Sequence, residues 1–293
     1  MEPAPWRALH LAADETERMA WHARAQPVIR SACHWYHGND RPTRSRCLTN
    51  HTLDCEGYDA LHSLFWETSG GVALEMGGLD GVTGSESFIL QQAAGFRRVL
   101  IEADPSHRER RRMISANAVG VTAACCANSS HALHFLRKRD TWTGTQGIAE
   151  FMAAEHLHRW YPQVERALLA APSRQWDNVD WVSLAAQHGI VSTEVTCEPL
   201  SDILLAVGLK WIDFFVLDTE GAELDVLRSI DFGTVGFGVI VVEAYSPAGS
   251  RPQNFGQRVI DLVAQLGGDN YRVLHRRRGR NVWFVHRRLQ SRG

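Results

Sequence analysis

Three stretches of the chain set carboxylates or glycines at the ends of apolar runs, where a bound ligand can meet them. In Leu74-Glu75-Met76-Gly77-Gly78-Leu79-Asp80-Gly81, an apolar run enters a glycine-rich turn ahead of a helical pattern. Glycines let the backbone approach a ligand closely, and the following helix presents unpaired N–H groups to negative atoms. In Val99-Leu100-Ile101-Glu102-Ala103-Asp104-Pro105, a second run ends in acid about 20 residues past the glycines, the separation at which a carboxylate accepts both hydroxyls of a ribose. Glu102 lies inside its apolar run, where burial without a partner is costly, whereas Asp104 suits a helix cap. In Ile212-Asp213-Phe214-Phe215-Val216-Leu217-Asp218-Thr219-Glu220-Gly221-Ala222-Glu223, carboxylates gather at a strand end and a first helical turn. Negative charge is favourable at a helix N-terminus, so part of this cluster has a purely structural reading. Its carboxylates also suit a general base, and Glu220 is the first choice for that role, with Asp218 beside it.

Other chemistries find less support. The glycines at 77, 78, 81 and 84 do not form G-x-G-x-x-G, and no G-K-[ST] follows, which disfavours a nicotinamide oxidoreductase and a phosphate-cradling loop. Acidic residues at strand ends can hold Mg²⁺, but no ligand spacing demands it, and no metal is assigned. Of the 14 histidines, none sits on a signal that puts it in a pocket, and His156 and His158 are spaced wrongly for one helical face. The tryptophans at 142, 160, 176, 181 and 211 read as core packing before sugar stacking.

The elements that must hold these residues follow from the pattern. Apolar runs at Val72–Met76, Arg98–Ala103, Val121–Cys126, Asp213–Leu217 and Gly238–Glu243 alternate with helical stretches, one of them Ser85–Ala94. That alternation signals βαβ units, and nearly continuous apolarity signals strands buried on both faces. Tyr271–His275 and Asn281–His286, joined by the basic turn Arg276–Arg280, read as a terminal antiparallel hairpin. Before this regime, residues 1–68 read as an N-terminal helical and irregular extension, with helices over Asp14–Cys33 and Glu56–Thr68. Residues 69–293 read as one domain, interrupted by an insertion over 141–194 in which Gly147–Ala171 is helical.

Composition sets outer bounds. With 44% hydrophobic and 22% charged residues, the chain is globular rather than disordered or fibrous. A net charge of -2 gives no global field to gather nucleic acid. Neither a membrane span nor a signal peptide is seen, which points to the cytoplasm. The six cysteines form no C-x-x-C pair, so reduced thiols are expected.

The chain also resembles the FkbM-type S-adenosylmethionine-dependent methyltransferases, through Glu75–Gly81, Val99–Pro105, Asn117–Cys125, Ile240–Glu243 and above all Asp213–Leu227. There Asp-Phe-Phe-Val-Leu-Asp-Thr-Glu-Gly-Ala-Glu looks like the family's D-x-x-x-x-D-x-E-G-x-E block. The resemblance implies a Rossmann-like three-layer α/β sandwich, its seven-stranded sheet mostly parallel with the last strand antiparallel. It implies that Glu75 and Gly77, Gly78, Leu79, Asp80 and Gly81 hold the methionine part of S-adenosyl-L-methionine. Glu102 would then hold the ribose, Ala103 would also bind the cofactor, Ala124 and Cys125 would border the adenine, and Asp218 would lie across the same pocket. The activity implied is O-methylation of a hydroxyl on a small molecule, sugar or glycolipid. The alternative is a non-catalytic module that retains the adenosyl pocket. The turn Met76-Gly77-Gly78-Leu79 and the long insertion depart from the family pattern.

Overall fold

A computed structural model describes residues 56–65, 68–82, 85–107, 117–127, 132–138, 145–170, 179–244, 252, 254–274 and 281–289. The expected helix at 14–33, the basic turn at 276–280, Trp142 and Trp176 lie outside the described residues.

The main sheet runs through β1 (Val72–Met76), β2 (Arg97–Glu102), β3 (Ala118–Thr122), β9 (Trp211–Leu217), β10 (Gly236–Glu243), β11 (Tyr271–Val273) and β12 (Asn281–His286). Their order across the sheet is β11-β12-β10-β9-β1-β2-β3. Neighbours pair parallel from β3 to β10, and β12 runs antiparallel to both β10 and β11. The expected hairpin therefore forms, with its second strand inserted between its first strand and the rest of the sheet. Side-chain alternation buries both faces: Phe215, Leu217, Ile240 and Val242 enter one core, and Phe214, Val216, Val239 and Val241 enter the other.

Helices cover each face. The first core receives α6 (Leu200–Ala206), α7 (Glu223–Arg228) and α8 (Phe255–Gly267); the second receives α1 (Glu56–Ser63) and α2 (Glu86–Ala94). This is a Rossmann-like three-layer sandwich. In α1, Tyr58, Ala60 and Leu61 are buried, so the end of the N-terminal segment forms part of a main layer.

A second unit stands over the sheet's edge. Strands β5 (Leu133–Lys138), β6 (Gly147–Ile148) and β7 (Ile190–Val195) form an antiparallel sheet in the order β6-β5-β7. Helices α3 (Ala154–Trp160), α4 (Pro162–Ala170) and α5 (Trp181–Gln187) share its core with Tyr161 and Trp181. The long helix expected over Gly147–Ala171 is thus corrected: it starts as strand and 3₁₀ turn, and breaks at Tyr161, before Pro162, because a residue preceding proline avoids helical geometry. The run Val121–Cys126 is likewise split at Ala123 into β3 and β4 (Ala124–Cys125), and β4 pairs with β8 (Cys197–Glu198). That pairing sets Cys126 beside Cys197, with Cα atoms 5.8 Å apart, within reach of a disulfide. No helix among the described residues is long and apolar enough to cross a membrane.

Candidate active site

A cavity of about 240 Å³ opens at the carboxyl ends of β1, β2 and β9, where the chain order reverses about β1. Open parallel sheets bind ligands at such switch points. β1 and the turn after it supply Met76, Gly77 and Leu79, and β2 with the residue that follows it supplies Ile101, Glu102 and Ala103. Ala124 and Cys125 come from β4, and Asp218, Thr219 and Glu220 follow β9.

The glycine turn is tied down at several points. Gly77 has φ 83°, and a Cβ there would lie 1.6 Å from the Asp218 carbonyl oxygen, so only glycine fits between the ends of β1 and β9. Gly81 N–H donates to the Gly78 carbonyl at 2.7 Å, and Val82 N–H donates to Asp80 Oδ1 at 2.9 Å. Leu79 N–H donates to Glu102 Oε2 at 3.1 Å, which joins the turn to β2. The other Glu102 oxygen accepts from Asp104 N–H at 2.9 Å. A carboxylate offers about four lone-pair directions, so Glu102 can bind backbone and still take part in holding a diol.

Glu75 stands behind this turn. Its carboxylate accepts from Ser85 Oγ at 2.6 Å, from Glu86 N–H at 2.8 Å, from Ser87 N–H at 3.2 Å and from Ser87 Oγ. It therefore caps α2 from a neighbouring strand, and Ser85, at the N-cap position, makes no side-chain cap of its own. Arg98 completes this buried cluster, donating to the Gly81 carbonyl at 2.6 Å and lying 3.4 Å from Glu75 Oε2. Burial lowers the Arg98 pKa from its ordinary value, and the Glu75 charge acts in the opposite direction. Glu75, Gly78, Asp80 and Gly81, read as direct cofactor contacts, do not line the cavity; they shape the turn that does.

The acidic block divides by role. Glu223 is fully buried, and its oxygens accept from Thr219 N–H at 3.0 Å and Gly221 N–H at 3.2 Å, so it closes the loop after β9. Asp218 and Glu220 line the cavity instead. Glu220 has φ 56° and Leu79 has φ 52°. These are the two non-glycine residues with positive φ among those described, and both line the cavity, where backbone strain commonly collects. Oxygens of Asp218, Glu220 and Glu243 lie within 4.8 Å of one another, a grouping common among acids at strand ends, and no metal is assigned to it. Cys125 is buried, and burial, with a smaller effect from Glu198, pushes its thiol pKa upward. It forms part of the cavity wall.

Phe135, Gln146, Gly147 and Ile148 also line the cavity, all from the second unit and none singled out by motif. Gly147 passes so close that a Cβ would lie 3.3 Å from the Glu220 carbonyl oxygen. His156, which carried no sequence signal, comes within 3.7 Å of Glu220.

Fold and site together define a class: a Rossmann-like α/β protein whose carboxyl-edge cavity joins a glycine turn, a strand-end acid and a second acidic loop. The chain matches the methyltransferase FkbM domain over residues 75–271, and it belongs to that family. It is therefore a methyltransferase by family. Two solved structures show low similarity. One is a variant of MtNAS, at 12% identity and TM-score 0.34, with 92% of this chain and 71% of that chain covered. The other is the same variant in complex with S-adenosylmethionine, at 11% identity and TM-score 0.33, with 92% and 76% covered. A comparison with curated proteins finds no match.

Proposed function

We propose that the protein transfers a methyl group from S-adenosyl-L-methionine to a hydroxyl oxygen of a small molecule, sugar or glycolipid. The observation that carries this reading is the shared cavity: Glu102, tied to the glycine turn through Leu79, and Glu220, on the acidic loop, line one hollow. The donor set suits an adenosyl group. Glu102 offers a carboxylate to the ribose hydroxyls, while Ile101, Ala103, Ala124 and Cys125 offer apolar walls to a flat ring.

When bound, the cofactor would supply an electrophilic methyl carbon, with a positively charged sulfur as its leaving group. The turn Gly77–Leu79 would orient the amino-acid end, and Ala124 with Cys125 would border the adenine. Asp218 lines the same space. Glu220 removes the hydroxyl proton of the acceptor as its oxygen becomes bonded. Alignment of the reacting atoms supplies much of the acceleration, so no protein nucleophile is needed.

The test is transfer of labelled methyl from S-adenosylmethionine to a panel of hydroxylated small molecules, sugars and glycolipids. Glu220→Gln should lower the rate by about 10²- to 10⁴-fold and leave S-adenosylhomocysteine affinity within about threefold of wild type. An unchanged rate removes Glu220 from the chemistry. Tight S-adenosylhomocysteine binding with no labelled product across the panel favours the non-catalytic module.

A further inference from the structure

His156 is buried on α3, with Nε2 3.0 Å from the Thr145 carbonyl oxygen. A carbonyl only accepts, so Nε2 carries the hydrogen, and in neutral imidazole Nδ1 is left with a lone pair. That nitrogen lies 3.7 Å from Glu220 Oε2. A lone pair facing a carboxylate is unfavourable, and a proton between them relieves the repulsion. Glu220 lines the cavity and His156 does not, so the carboxylate stands between the cavity and the imidazole.

We propose that Glu220 and His156 form a proton relay, in which Glu220 takes the proton of the acceptor hydroxyl and passes it to His156 Nδ1. The electron pair of the O–H bond stays on the acceptor oxygen. Glu220 returns to its charged form, and His156 becomes imidazolium until solvent takes the proton. This rests on the proposed function. His156 touches no reacting atom, so it is a positioning residue acting through Glu220. The 3.7 Å separation is longer than a hydrogen bond, and catalytic hydrogen bonds that are long without ligand often shorten in the reactive complex.

Neighbouring groups hold the ring for this role. Tyr161 stacks on His156 with centroids 6.3 Å apart and planes at 28°. Its hydroxyl donates toward the carbonyls of Thr145 and Leu136 at 3.3 Å. Burial, and then the Glu220 charge, pushes the Tyr161 pKa upward, so the phenol keeps its proton and does not compete for the one in transit. Among the described residues, the charged and titratable groups facing His156 include Glu220 from the loop after β9 and Tyr161 from the α3–α4 junction. Behind Tyr161, Lys138 of β5 places Nζ 5.3 Å from its ring centroid.

The test is nitrogen NMR of ¹⁵N-labelled imidazoles from about pH 5 to 9, in wild type and Glu220→Gln, with S-adenosylhomocysteine binding measured on the same samples. The His156 signal is the one absent from His156→Gln, or, should that variant not fold, the one shifted by Tyr161→Phe. Neutral His156 is expected as the Nε2–H form, and its titration midpoint should fall by about one unit or more in Glu220→Gln, because a facing carboxylate raises a histidine midpoint. His158, exposed and paired with Glu165, should not move. An Nδ1–H form, or equal midpoints in the two proteins, overturns the relay. Lack of S-adenosylhomocysteine binding in wild type overturns the proposed cofactor, while the titration still decides the pairing.

Discussion

Gly77 and Glu102 act mainly on backbone, one by having no side chain and the other by accepting from Leu79 N–H. A methyl at position 77 meets the Asp218 carbonyl at 1.6 Å and needs φ 83°. Relief requires the ends of β1 and β9 to part, which deforms the cavity. Gly77→Ala is expected to destabilise the protein by at least about 2 kcal/mol and to abolish S-adenosylhomocysteine binding, as read by denaturant unfolding and calorimetry. Native stability and affinity in this variant would show that the turn is not held against β9. The placement of Gly77, Glu102 and Glu220 at the cavity was legible in sequence, because each lies at or just past the end of an apolar run. The supporting role of Glu75 was not, since its partners Ser85, Ser87 and Arg98 are brought to it by folding. His156 carries no sequence signal for the same reason: spacing along one helix says nothing about a loop that follows β9.

At the scale of elements, the cluster of Glu75, Ser85, Ser87 and Arg98 fixes α2 to β1 and β2. Removing one member of a buried ion pair leaves a charge without compensation and costs about 3–5 kcal/mol. Arg98→Met is therefore expected to lower Tm by roughly 6–20 °C in a domain of this size and to weaken cofactor binding through the freed Gly81 carbonyl, both measurable by scanning calorimetry with and without ligand. A Tm within a degree or two of wild type, or unchanged ligand binding, would contradict the coupling. The last strand carries a separate test. His286 Nδ1 accepts from Arg288 N–H at 3.2 Å, and its ring packs edge-on against Trp211 and Tyr271. Burial, and then the Arg288 charge, lowers its pKa below 6.5. With the folded value depressed, its contribution to stability is present above pH 6.5 and is lost as the pH falls through the folded value. Chemical unfolding should show stability declining below that pH, with a shallower decline in His286→Gln; equal slopes would contradict the assignment. The parallel strands and terminal hairpin were readable from apolar runs. The sheet β6-β5-β7 was not, because Gly147–Ile148 is too short to show a period, and β5 and β7 pair across a long stretch of chain.

In the whole molecule, two units enclose one space. The main sheet brings Gly77, Glu102 and Asp218 to its carboxyl edge, and the second unit adds Phe135, Gly147 and Ile148 from above, with Gly147 in close approach to Glu220. Calorimetric titration of wild type and Glu102→Gln with S-adenosylhomocysteine tests this most directly. Saturable one-to-one binding in wild type, weakened about 10- to 100-fold by Glu102→Gln through loss of charge-assisted bonds to the ribose, is the predicted result. Absence of binding to the folded wild-type protein, or equal affinity in the two, would contradict it.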